Sequence, residues 1–426
     1  MPGLSIASGI DQAKLSRLAD GLVVAVAVSL PWSTSATAIL VVIWLLALIP
    51  TLCWADVRRE LLSPPGGLPV LLVAMGLAGM FWADVTLLER WKGFDSFLKL
   101  LVIPLLFAQY RRSDRGEWVF AGYLMSCVAL VVATIIVAAI PAWSNTLMRF
   151  DGVLVKSAAT QSGEFVTCIF GLVYLLTDAI ERRRWQLSFC FVAVILAMLA
   201  TILFVATGRT ALVIALVLLI LYAIRNFRAK GIALISIGAF LVGIAGWTSS
   251  SYLRDRTIQV WTDLEKYEAT DARTSSGERI EFWKKSIEFI RQSPVIGHGT
   301  GSIHSLFAQA AAGHTDTAGV AAANPHNQTL AVGIQLGLVG ATVLWAMWIA
   351  HLLLFGGRSL AAWIGLVVVV QNVIGSLFNS HLFDFVQGWV YVVGVGVAGG
   401  IALKSQAGLR PTLSDDRVWS GSEGDE

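Results

Sequence analysis

The chain is divided into apolar runs of roughly membrane length, and nothing else in it limits the fold as strongly. A spanning helix needs about 20 mostly apolar residues. Twelve candidate runs lie near 18–31, 34–54, 67–83, 94–109, 117–140, 162–179, 186–206, 209–224, 231–247, 327–355, 359–377 and 385–403. Hydrophobic residues make up 56% of the sequence, charged residues only 14%, and the mean hydropathy is +0.72. Soluble domains carry roughly a quarter charged residues, so a water-soluble globule is excluded. The expected fold class is an all-α integral membrane protein of about twelve transmembrane helices. The first run is short, and only Thr207 and Gly208 separate the seventh from the eighth. The sequence SATA at Ser35–Ala38 imitates a signal-peptidase site. The next apolar run begins at once, so the first run is expected to be an uncleaved span.

Basic residues alternate along the connections. Arg58 and Arg59, then Arg111, Arg112 and Arg115, then Arg182, Arg183 and Arg184, then Arg225, Arg228 and Lys230, then Arg358 occupy every second one. With Lys14, Arg17 and Lys404 they define one strongly basic side, which the positive-inside rule assigns to the cytoplasm. The opposite connections are sparser, holding Arg90, Lys92, Arg149, Lys156 and Arg209. Twelve spans then put both termini in the cytoplasm and the long connection outside. The expected organisation is nine helices over 1–247, an outer loop over 248–326, three helices over 327–403 and a disordered cytoplasmic tail over 404–426. The net charge of +3 makes no case for nucleic acid. The four cysteines, Cys53, Cys127, Cys168 and Cys190, lie in or beside apolar runs and suggest neither a disulfide framework nor a metal. Sixteen tryptophans, many near run ends, fit anchoring among membrane lipids.

The one long polar interval, Ser276 to Leu330, is where chemistry is expected. Between Glu278 and Arg291, Ile280, Phe282, Trp283, Ile287 and Ile290 recur at helical spacing among charges. This amphipathic helix should lie on the membrane surface or over the spans. Ser293-Pro294 ends it, and Gly297, Gly299 and Gly301 suggest a flexible turn. Ala308 to Ala323, rich in Ala, Gly and Thr, reads as a mobile segment over the site. Pro325 holds Asn324 extended and suits a helix start, which would fix His326 at the outer membrane boundary.

Histidine titrates near neutrality and can take a proton from a hydroxyl nucleophile; a helix-capping histidine is the plainer alternative. Arg209, at the outer end of a span, and Arg279, on the amphipathic helix, are planar cations suited to phosphate oxygens. Snorkelling and a solvated helix face are their plainer readings. Lys99 lies one turn after Asp95, so it is either half of an ion pair or a second phosphate contact. Glu164 heads the sixth run and reads as a cap or a hydrogen-bond acceptor. Asp384 is an outward carboxylate that would orient His326 or an arginine. His298, His304 and His314 share the loop with His326, but their spacing matches no compact zinc pattern. No acidic DxD pair faces outward. The turn Gly297-His298-Gly299-Thr300-Gly301 resembles a phosphate cradle only loosely, since it follows a helix rather than a strand.

The order Thr207-Gly208-Arg209, then Ser276, Arg279 and Trp283 spaced as SxxRxxxW, then Pro294, Gly297, Gly299 and Gly301 spaced as PxxGxGxG, then Pro325-His326-Asn327 before a Gly-rich span, resembles the membrane family of O-antigen ligases and related polymerases. The resemblance implies a GT-C-type helical fold with one large periplasmic loop. It implies transfer of a glycan from undecaprenyl pyrophosphate to a sugar hydroxyl of lipid A–core, on the periplasmic side of the bacterial inner membrane. His326 would be the base, with Arg279 and Arg209 holding pyrophosphate. Lys99, Asn327, Trp283, Gly297, Gly299, Gly301 and Asp384 would be further substrate contacts, with no cofactor and no metal.

The chemistry of the residues agrees with this. A glycosyl pyrophosphate needs cations on the departing charge and a base for the incoming hydroxyl, not a proton on the leaving group. Direct displacement at the anomeric carbon would invert it. A polymerase, whose acceptor is another lipid-linked repeat unit, shares these motifs. A transporter or flippase for a lipid-linked solute fits less well, because few charges fall near the midplane of a run.

Overall fold

The computed structural model describes residues 11–140, 143, 153–206, 208–270, 273–314 and 317–408. Thr207, Arg149 and the tail from 409 onward lie outside them. Among the described residues the chain is built of helices with no β-strand. The first seven are α1 (Gln12–Ser29), α2 (Thr34–Leu48), α3 (Trp54–Leu61), α4 (Pro64–Gly79), α5 (Leu87–Leu98), α6 (Val102–Arg112) and α7 (Gly116–Ala139). Then come α8 (Ala158–Glu181), α9 (Trp185–Phe204), α10 (Arg209–Asn226) and α11 (Ala229–Ser249). The polar interval contributes α12 (Ser251–Thr270), α13 (Ser275–Gln292) and α14 (Ile303–Ala311). The chain returns to apolar helices in α15 (Gln328–Leu354), α16 (Leu360–Gly375) and α17 (Phe385–Gly408).

Among the described residues eight helices are long and apolar enough to cross a membrane: Thr34–Thr51, α7, α8, α9, α10, α11, α15 and α17. A ninth results if α3 and α4, bent by 83° at their junction, are counted as one span. The twelve expected spans are therefore not reached by length and composition, and the four shortfalls have visible causes. Helix α1 carries Lys14, Arg17 and Asp20. Helix α4 is bent away from α3. The run 94–109 is broken by a 3-10 turn at Lys99–Leu101, leaving two short pieces, α5 and α6. Helix α16 has only 16 residues. Ser35–Ala38 lies in the first turns of α2, and α9 and α10 are separate helices despite their short connection.

Helix α17 is the most buried of the eight and α11 the least. Small residues explain how the chain packs α17 so closely. A Cβ on Gly396, Gly399 or Gly400 would come within 2.6 Å of Leu106, Phe107 or Tyr110 of α6, the close backbone approach that glycine permits between membrane helices. At one end of this pair, Arg59 and Arg111 meet the buried Glu60 at 2.9 and 3.1 Å, and Lys404 pairs with Asp114. Basic residues that the alternation of charge assigns to one side are thus brought to one end of the helices.

A break in α15 positions the polar interval. Gly337 leaves helical geometry with φ 63° and ψ −163°, which only glycine adopts readily. Into the break fits the segment after α13. Its amides at His298 and Gly299 donate to the carbonyls of Ile334 (2.8 Å) and Gln335 (2.9 Å). The amides of Leu338 and Val339 donate back to Pro294 (2.8 Å) and Val295 (3.3 Å). Backbone groups freed by the kink are thereby satisfied inside protein, the condition for irregular backbone in a membrane. The helical reading of Glu278–Arg291 agrees with α13. Within 308–323, where 315 and 316 lie outside the described residues, α14 extends to Ala311, and Ala322 joins Phe282, Phe289 and Phe307 in a small apolar core.

Candidate active site

His326 occupies the turn between the polar interval and α15. The side-chain oxygen of Asn324 accepts its backbone N–H at 2.9 Å, a tight two-residue loop. His326 is held at φ 53°, an uncommon conformation for a side-chain-bearing residue. Such strain persists only where the surroundings enforce it. Asn324 also accepts from Ser380 Oγ at 2.7 Å and donates to Asn379 Oδ1 at 3.2 Å. The cap of α15 is Asn327, whose Oδ1 accepts from Leu330 N–H at 3.1 Å. The helix-cap reading of His326 therefore belongs to its neighbour.

The imidazole is half-buried, with Nδ1 at 3.0 Å from Asn379 Oδ1 and its ring stacked at 6.2 Å on Phe282 of α13. With the amide oxygen of Asn379 facing it, Nδ1 carries the proton and Nε2 keeps its lone pair. Burial lowers the imidazole below its ordinary pKa, the Asn379 hydrogen bond opposes this, and the Arg279 charge reinforces it. The ring is neutral at physiological pH, the form a general base requires.

Arg279 projects from α13, one turn before Phe282. Its guanidinium is half-buried, and the Arg209 charge further disfavours its protonated form. The structure therefore brings together the three residues singled out as catalytic, with Arg279 electrostatically linked to both Arg209 and His326. Among the described residues neither arginine has an ion-pair partner, and Arg209 reaches only Ser275 Oγ at 3.4 Å. Two like charges without a counter-ion favour an anion between them. Arg209 is the first residue of α10, whose cap, Gly208, offers no side-chain acceptor to the first-turn amides. Open amides and the helix dipole there also favour an anion.

The remaining expected contacts fare differently. The indole N–H of Trp283 is enclosed with no acceptor among the described residues. Lys99 is buried and donates to the carbonyls of Phe383 (3.2 Å) and Asp384 (2.9 Å). It holds the chain between α16 and α17, and among the described residues it forms no close ion pair with Asp95 of the kind that helical spacing suggests. Asp384 caps α17 through Gln387 N–H at 2.9 Å; Asn379, not Asp384, orients His326. Asn327 has both ends of its amide engaged, by Leu330 N–H and by the Leu377 carbonyl at 3.3 Å.

The glycine turn is corrected most clearly. The amides from Gly297 to Gly301 all donate within the protein: to Ser293, Ile334, Gln335 and Gly79 carbonyls and, for Gly301, to Gln335 Oε1 at 2.8 Å. Gly297, Gly299 and Gly301 have positive φ, and a Cβ on any of them would strike neighbouring backbone within 2.6 Å. The turn is a packed wedge with no amide left for phosphate, not a flexible cradle. Sequence reasoning missed Asn324, Asn379 and Ser380. The signal for Asn379 and Ser380 was a polar cluster, NSH at Asn379–His381, between apolar helices, while Asn324 stands in the turn before His326.

Among the described residues the protein is thus an all-helical chain with several helices able to span a membrane, and at the entry of α15 a half-buried histidine lies beside two arginines without ion-pair partners. Residues 193–344, which contain Arg209, Arg279 and His326, match the family model described as O-antigen ligase. Over that stretch, which is less than half of the chain, the protein is similar to the O-antigen ligase family. An uncharacterized protein of Haemophilus influenzae is 26% identical over 175 residues, which is 40% of this chain and 44% of that protein. The similarity spans less than half the length of that relative.

Proposed function

We propose that the protein is an O-antigen ligase of the bacterial inner membrane, with a GT-C-type helical architecture, its site facing the periplasm and both termini cytoplasmic. It transfers a glycan from undecaprenyl pyrophosphate to a sugar hydroxyl of lipid A–core, without a metal and with inversion. One observation supports the reading: a histidine kept neutral by burial and oriented by Asn379 shares a site with two arginines that lack carboxylate partners among the described residues.

The acceptor O–H attacks the anomeric carbon of the donor from the face opposite the pyrophosphate. Its proton passes to His326 Nε2 as the new glycosidic C–O bond forms. The bond from the anomeric carbon to the pyrophosphate oxygen breaks with its electron pair, and undecaprenyl pyrophosphate leaves. Arg279, Arg209 and the open first turn of α10 stabilise the charge that grows on the departing oxygens. A positioned base contributes about 10²–10⁴-fold. Both substrates are lipid-anchored, so a site at the membrane boundary extracts neither.

The test is a lipopolysaccharide gel from a smooth host lacking this gene. Loss of the whole ladder with accumulation of long lipid-linked glycan supports the ligase. Core bearing a single repeat unit points to the polymerase instead, and an unchanged ladder removes both.

A further inference from the structure

Beside the histidine lies a cavity of ≈ 560 Å³ that the proposed chemistry leaves unassigned. It is enclosed by α5, the glycine wedge, the start of α14 and the chain from Asn379 to Asp384. Its volume falls in the range of about 300–1,000 Å³ typical of ligand sites. Asn324 and Asn379 form part of its wall, and these same two amides hold His326 through its backbone N–H and its Nδ1. A ligand seated there lies one side chain from the imidazole.

The lining describes the ligand. Lys92, Ser96 and His304 face the cavity, and among the described residues none makes a hydrogen bond or an ion pair. Two carboxylates also line it, each committed through one oxygen. Glu89 accepts from Thr86 through Oε2 at 3.0 Å, and Asp384 accepts from Gln387 N–H through Oδ1 at 2.9 Å. Uncommitted donors and acceptors therefore alternate around the space, while Ile303, Ala331 and Phe383 supply an apolar wall. Vicinal hydroxyls need both kinds of partner, and a pyranose ring has an apolar face to set against such a wall. Two carboxylates argue against a phosphate as the main occupant. None of Arg209, Arg279 and His326 lines the cavity, so it is separate from the cations assigned to the leaving group, and a saccharide seated there must extend past Asn379 to bring a hydroxyl to the imidazole.

We propose that this cavity seats the saccharide that carries the accepting hydroxyl, an inference that rests on the glycosyl-transfer reading above. Ser96→Phe fills the space without removing any hydrogen bond seen among the described residues, and Lys92→Ala removes one free donor from an exposed position. The experiment uses the full-length protein in lipid nanodiscs. Binding of delipidated core oligosaccharide is measured first, by saturation-transfer NMR, in wild type and both variants. The acceptor and donor KM values are then measured in a transfer assay, with thermal unfolding as a check on folding. The account expects oligosaccharide binding by wild type and its loss in Ser96→Phe. It expects the acceptor KM to rise about tenfold in Lys92→Ala, the equivalent of one hydrogen bond, with the donor KM unchanged. A rise in donor KM alone assigns the cavity to the donor glycan and overturns the proposal. Unchanged binding and KM values in folded variants also overturn it. A wild-type protein that binds the oligosaccharide yet transfers nothing contradicts the ligase reading while supporting the saccharide site.

Discussion

His326 Nδ1 and Asn379 Oδ1 lie 3.0 Å apart, and this contact fixes both the tautomer and the orientation of the ring. Asn379 comes from the connection between α16 and α17, so the proposed base is held by a segment distant in sequence from the loop that carries it. Asn379→Leu should lower kcat by about tenfold, the worth of one lost hydrogen bond, while both KM values stay near wild type. Steady-state kinetics check this; a change confined to KM contradicts the orienting role.

The pH profile follows from the direction of the histidine shift. Burial and the Arg279 charge both lower its pKa. The neutral base therefore persists below the ordinary pKa of about 6.5, and kcat falls only as pH drops through that lowered value. Arg279→Gln removes a repelling cation and should move this acid limb to higher pH. Asn379→Asp places a negative charge against the ring and should move it the same way. A limb that stays put in both variants contradicts the assignment of His326 as the titrating base.

Arg209→Ala and Arg279→Ala should each weaken donor binding and reduce the rate. Hydrogen bonds to charged groups are worth about 1.5–3 kcal/mol, or roughly 10–150-fold in affinity. Lysine should restore binding only in part, because it lacks the planar fork. Titration of the purified variants with the lipid-linked donor is the measurement.

Two further predictions concern the scaffold. Gly299 has φ 88°, and a Cβ there would lie 2.5 Å from the Ala83 Cα. Gly299→Ala should cost about 3 kcal/mol from left-handed strain and overpacking together, read as a fall in unfolding temperature in detergent.

Lys99→Met leaves the Phe383 and Asp384 carbonyls without their buried donor. The expected loss is about 1–3 kcal/mol, and the released chain carries Asn379, so kcat should fall along with stability. A variant that is less stable but fully active would show that Lys99 supports the fold alone.

The sequence announced the apolar helices because their signal is local: hydropathy over some twenty residues needs no knowledge of neighbours. The count of twelve is not matched by helix length and composition where a run met a charge or a turn, as at Lys99–Leu101, since hydropathy does not register a 3-10 break. Arg209 stood out as a cation at the end of an apolar run, and Arg279 and His326 through the motifs of the polar interval; their roles in catalysis belong to the proposal. The glycine turn was expected to be flexible, which glycine spacing alone does not decide. Positive φ serves equally for an open cradle and for a wedge, and only the partners in α4 and α15 decide between them. Asn379 could not be assigned its role, because 53 residues separate it from the ring that it orients.

The measurement closest to the central claim is transfer by purified His326→Ala, with donor binding determined on the same preparation. The account predicts that the lipid-linked donor binds with near-wild-type affinity while transfer to lipid A–core falls by at least about a hundredfold. Near-normal turnover in a folded, donor-binding variant would contradict it.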